Sequence, residues 1–162
     1  MTDGGLFSES INDEVGTRTG SARSRGGPVG DDREGADPRL GLVVVHQRYV
    51  SAAHAHYAGD LVDGAFGLAC FGDVATEICI RTDGDEGLFA SYADIQFLGP
   101  IRAGDVLRTT GTVTRIGRRS REIDFTAVVL CRLRPDLGIS ASQVLPEPIV
   151  AIRARGTVVV PG

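Results

Sequence analysis

The chain contains no uninterrupted apolar run approaching the roughly 18 residues that a membrane-spanning helix requires. Its N-terminus also lacks the charged-then-apolar pattern of a secretory signal. A soluble cytoplasmic protein that does not engage a membrane is expected. Cysteine is scarce: Cys70, Cys79 and Cys131 are an odd number without CxxC spacing, and they read as buried thiols in a reducing compartment. His54 and His56 lie two apart in a loop, with no HExxH and no paired cysteines, so no metal centre is expected. Nor is there a GxSxG elbow to expose a serine nucleophile. The formal net charge of -4 offers no basic face for phosphates, which argues against nucleic acid as a partner. Arginines nevertheless cluster locally.

What is present suits one domain: 162 residues, 42% of them hydrophobic, can build a single core. Residues Met1 to Leu40 are rich in Gly, Ser, Asp, Arg and Thr and read as a flexible tail, in which Leu6 to Val15 could dock on a neighbouring subunit. Folding is expected from residue 41 to 162. LVVVHQRYVS has strand character, the loop AAHAHYAGD follows, and Gly64 to Ile80 forms a helix that is apolar or small on nearly every side. DGDEG at Asp83 to Gly87 stops it. Four strand-like runs follow, from Ser91, Asp105, Arg121 and Pro148, with Arg134 to Pro148 as a long connector. Val113 alternates with Thr112 and Thr114, and Ile123 and Phe125 alternate with Glu122 and Asp124, which implies an antiparallel sheet with one wet face. The one long helix must cover the other face. An α+β architecture results, a curved antiparallel sheet wrapped around one central helix, and it resembles the hotdog fold. Its open sheet edge predicts a homodimer, with a hexamer built as a trimer of dimers as the larger alternative.

Chemistry is concentrated around the helix. Asp63 precedes it, and Asp73 and Glu77 share one face at four-residue spacing. With Ile80 as its end, the helix carries no cation to neutralise them, so burial in a dry interior should raise at least one carboxyl pKa. The plainer readings are an N-cap for Asp63 and a solvated face or dimer seam for the other two. His56 and Tyr57 stand in the loop leading to the helix, whose first N–H groups, at Gly64 and Ala65, lack intrahelical partners and carry partial positive charge. GRRSR is a turn that brings together Gly117, Arg118, Arg119 and Arg121, either a solvated basic tip or a phosphate clamp such as coenzyme A would need. Arg81 and Arg102 are weaker candidates.

The segments AHYAGDLVDGA, LACFGDVATEICI, DGDEGLFASYADIQFLGPIRAGD, GTVTRIGRRSREIDFTA and LPEPIVAIRARGTVVVP together resemble the small β-aminoacyl-CoA ammonia lyases. The resemblance covers Val43 to Pro161, and FGDVATE with DGDEGLF carries it most specifically. It implies reversible loss of ammonia from β-alanyl-CoA or 3-aminobutyryl-CoA, with coenzyme A present only as part of the substrate and no permanently bound cofactor. On that reading the N–H groups of Gly64 and Ala65 stabilise the enolate oxygen. Asp63, Glu77 and His56 exchange the protons, and Asp73 and Tyr57 help to hold the substrate. A hotdog thioesterase, an enoyl-CoA hydratase and a non-catalytic acyl-CoA-binding module are the alternatives.

Overall fold

Leu107, Thr109, Gly111 and Val113 on one strand and Ile123, Phe125, Ala127 and Val129 on the next are buried, while the residues between them are more open to solvent. That period of two builds the centre of the fold. The computed structural model describes residues 37–161. In chain order these are β1 (Val43–Tyr49), a 3-10 turn (Ala52–His54), β2 (Ala55–Tyr57), β3 (Leu61–Val62), α1 (Gly64–Asp83), β4 (Leu88–Phe97), β5 (Val106–Ile116), β6 (Ser120–Leu133) and β7 (Ser142–Val159). One antiparallel sheet runs β1-β5-β6-β7-β4, and β2 pairs with β3 beside it.

Helix α1 starts because the Asp63 carboxylate accepts the Phe66 N–H at 2.8 Å, and it stops at Gly84, whose φ of 71° permits the left-handed cap. Gly67, Cys70, Phe71, Val74, Ala75, Ile78 and Cys79 face the sheet and are buried. Phe71 stacks on Phe125 with ring centroids 4.9 Å apart. Burying each of these rings contributes about 1.5–3 kcal/mol. The opposite side, with Ala65, Ala69, Asp73, Thr76 and Ile80, is exposed in the single chain. The sheet therefore does not enclose the helix as its sequence suggests, and β1 and β4 remain open edges. No helix among the described residues is long and apolar enough to cross a membrane.

Two boundaries differ from the sequence reading. Arg39, assigned there to the tail, bridges Asp37 at 2.7 Å and Asp83 at 3.1 Å, so the ordered chain already includes Asp37–Leu40. The rest of the expected tail, including Leu6 to Val15, lies outside the described residues. The connector is shorter than expected, because β7 begins at Ser142 and carries Pro146 and Pro148 where the pairing slips between Val129 and Cys131. Proline cannot donate to a ladder and is tolerated at such an irregularity. Cys70 and Cys79 are buried free thiols, whereas Cys131 is half-buried. Burial, reinforced by the Asp83 charge, pushes the Cys79 thiol up to about 11.

Candidate active site

The first cluster forms at the head of α1. Segment 59–62 is tied down by the Val62 N–H to the Ile101 carbonyl at 3.0 Å, the Ala103 N–H to the Asp60 carbonyl at 2.9 Å, and the Arg102 guanidinium to the Gly59 carbonyl at 2.8 Å. His56 Nδ1 lies 4.0 Å from Asp63 Oδ2, and the Tyr57 ring meets the His56 ring edge-on at 4.5 Å. A cavity of 340 Å³ opens between Tyr57, Leu61, Asp63, Gly64, Phe97 and Ile152. Its walls are mostly apolar. Because Asp63 caps Phe66, the N–H groups of Gly64 and Ala65 remain at the positive end of the helix, and Gly64 borders the cavity. A side chain at Gly64 would place its Cβ 2.7 Å from the Phe97 ring. The structure thus brings Asp63, His56, Tyr57, Gly64 and Ala65 together, as their order in the sequence suggests.

Asp73 and Glu77 belong elsewhere. They line the seam between α1 and β1, and neither is in a dry interior: the side chains are 64% and 33% exposed. Glu77 Oε2 meets His46 Nε2 at 2.5 Å, and Arg81 Nε donates to its other oxygen at 2.8 Å. The helix runs past Ile80 to Asp83, so Arg81 is on it and supplies the cation that seemed missing. The hydrogen bonds from His46 and then Arg81 hold the Glu77 carboxyl below its ordinary pKa, the reverse of the direction expected from burial beside a like charge. Asp73 faces Arg48 at 3.6 Å instead. Arg48 also approaches the Cys70 sulfur at 3.5 Å and lies over the Phe66 ring, 5.5 Å from its centroid. A second cavity, of 430 Å³, is bounded by His46, Arg48, Cys70, Asp73 and Thr109. His46 is the residue that sequence reasoning missed. Its signal was position: two residues beyond buried Val44, it shares the helix-facing side of β1.

Glu77 lies fourteen positions beyond Asp63, the N-cap of the same helix. At 1.5 Å per residue that is about 21 Å, too far for one substrate centre within one chain.

The arginine turn divides as well. Arg118 and Arg119 are exposed, and Arg119 Nε donates to the Val160 carbonyl at 3.3 Å. Arg121 is only 2% exposed and is committed to Asp83 through both of that residue's carboxylate oxygens. It also donates to the carbonyls of Gly117 and Ser120 at 2.9 and 2.8 Å. The Gly117 N–H is itself bonded to the Ser120 carbonyl at 2.8 Å. Neither Arg121 nor Gly117 is therefore free to hold a phosphate, because the alternation of β6 turns the arginine inward. Burial alone would raise the Asp83 pKa, but hydrogen bonds from Arg121 and Thr82 and the charges of Arg121 and Arg39 outweigh it and lower the value.

A family model described as the Thioesterase superfamily matches residues 68–129. The chain is 50% identical over 112 residues to 3-aminobutyryl-CoA ammonia lyase of Acetoanaerobium sticklandii, across 69% of this chain and 89% of that protein. The β-alanyl-CoA:ammonia lyase from Clostridium propionicum superposes with a TM-score of 0.71 at 32% identity, across 75% of this chain and 86% of that one. A hexameric hotdog fold thioesterase of Campylobacter jejuni shares the fold at 13% identity, with a TM-score of 0.58 over 70% of this chain and 79% of that one. With its curved sheet on one helix and half of 112 aligned residues identical across 89% of such a relative, this chain is a hotdog-fold protein and belongs to the β-aminoacyl-CoA ammonia lyase family.

Proposed function

We propose that the chain is a carbon–nitrogen lyase that reversibly eliminates ammonia from a short β-aminoacyl-CoA, 3-aminobutyryl-CoA or β-alanyl-CoA, to give the α,β-unsaturated thioester. The observation that carries the reading is the 50% identity over 112 residues to a 3-aminobutyryl-CoA ammonia lyase, joined to a mostly apolar cavity bordered by Asp63 and Gly64 at the head of α1. The thioester oxygen accepts from the N–H groups of Gly64 and Ala65, which stabilise the negative charge that develops when the α-proton leaves. Asp63 and His56, 4.0 Å apart, take that proton. The electron pair forms the double bond as the C–N bond breaks and ammonia departs. The thioester itself acidifies the α-proton, so coenzyme A enters as part of the substrate and no further cofactor is needed. Arg118 and Arg119 are the exposed cations of the turn and its remaining phosphate ligands.

The enzyme works as a homodimer, with a trimer of dimers as the larger assembly, in the cytoplasm where its coenzyme A substrate and free thiols belong. Two-fold pairing along an open edge sets two copies of α1 antiparallel. The head of one helix then lies beside the C-terminal half of the other, and the Asp63 cluster of one protomer meets the Glu77 cluster of its partner.

Incubating the protein with crotonyl-CoA and ammonium should consume the absorbance of the unsaturated thioester. No loss of absorbance at high protein concentration overturns the reading. Release of free coenzyme A without an amine adduct would point to a thioesterase, and a water adduct to a hydratase.

A further inference from the structure

Glu77 is poorly placed to act as a base, since both of its oxygens are occupied, one by His46 at 2.5 Å and the other by Arg81 at 2.8 Å. It does not border the neighbouring cavity of 430 Å³, whereas His46 does. Nε2 of His46 faces the carboxylate, so in the neutral imidazole the N–H belongs on that nitrogen and Nδ1 is the one with the lone pair. The floor of the cavity is Thr109, 1% exposed and opposite His46 in the β1–β5 register, which supplies a hydroxyl. Asp73 supplies a carboxylate at the open side. A carboxylate behind an imidazole that borders a cavity is the arrangement in which the imidazole moves the proton and the acid orients it.

We infer that His46 is the group that exchanges a proton with the reacting nitrogen, and that Glu77 is its positioning residue. The inference rests on the ammonia-lyase reading and assigns a function to its second half-site. In the direction of addition, Nδ1 takes one proton from ammonium. The lone pair so freed forms the C–N bond at Cβ while the double-bond pair moves to the thioester oxygen, and Cα then takes a proton from the Asp63–His56 side. In elimination each transfer runs backward, and ammonia leaves with the proton of the His46 imidazolium. Proton balance is restored by exchange with solvent. The ionisable and charged groups around His46 are Glu77, Asp73, Cys70 and Arg81 from α1 and Arg48 from β1, while β5 contributes uncharged Thr109.

The full chain is compared with His46→Gln and Glu77→Gln, each checked for native circular dichroism and unchanged assembly size. Crotonyl-CoA is the acceptor, and ammonium or methoxyamine is the nucleophile. Methoxyamine is already neutral at pH 7 and needs no deprotonation. With ammonium, His46→Gln should lower kcat about 10²- to 10⁴-fold at little change in KM for crotonyl-CoA, and with methoxyamine the defect should shrink to less than about 10-fold. Glu77→Gln should lose about 10-fold and displace the ionisation in the pH–rate profile that His46→Gln abolishes. Equal defects with both amines, an ionisation unchanged in His46→Gln, or a larger loss in Glu77→Gln would overturn the assignment while leaving the ammonia-lyase reading intact. A wild-type protein that aminates nothing would overturn both.

Discussion

Asp63 caps α1, and substitution separates that task from the proton transfer proposed for it. Asparagine caps a helix about as well as aspartate, so Asp63→Asn should unfold within a few tenths of a kcal/mol of the parent in urea while losing most of its lyase activity. Asp63→Ala should also lose about 1 kcal/mol of stability. Equal activity in Asp63→Asn and the parent would restrict the side chain to capping. The Asp83–Arg121 pair is a matter of stability alone. Arg121 is 2% exposed, so Asp83→Asn leaves a buried cation without its counter-charge and should cost about 3–5 kcal/mol at neutral pH. The folded-state pKa of Asp83 lies below its ordinary 3.8, so the stabilisation is complete above that value and is lost as pH falls through the folded one. Urea titrations below about pH 4 should show the gap between parent and variant closing. A gap that does not change with pH would contradict the ion-pair account.

The elements were largely legible in the sequence because their signals are local. Alternation around Val113 and Ile123 fixed which face of β5 and β6 turns inward, and the same two residues pair across the hairpin. Asp63 and Gly84 bracket α1 as capping residues should. Gly84→Ala, forced to keep a φ of 71°, is expected to cost about 1 kcal/mol in a thermal or urea melt, and a neutral result would mean that another end for the helix is equally good. What failed to show were contacts between elements distant in sequence. His46 reaches Glu77 across 31 residues, and Arg121 reaches Asp83 across 38. No periodicity records either pairing. The same blindness set Asp63 and Glu77 of one chain side by side and counted Arg121 and Gly117 in a phosphate clamp. Pro146 and Pro148 misled in the other direction, because proline marks a break in most strands and here occupies the irregular part of β7.

For the whole molecule, the proposed chemistry depends on assembly, because its two clusters lie far apart along α1. If each centre joins the Asp63 side of one protomer to the His46 side of its partner, a heterodimer of Asp63→Asn and His46→Gln contains one intact centre. Co-expression of the two inactive variants should then recover about a quarter of the parental activity, since half of randomly paired dimers are mixed and each has one good site of two. No recovery would place both halves within one chain. The account as a whole is tested most directly by mass spectrometry of crotonyl-CoA incubated with the protein and ¹⁵N-ammonium. The expected product is the intact coenzyme A thioester heavier by one labelled ammonia. Free coenzyme A, a hydroxyacyl thioester or unchanged crotonyl-CoA would contradict it.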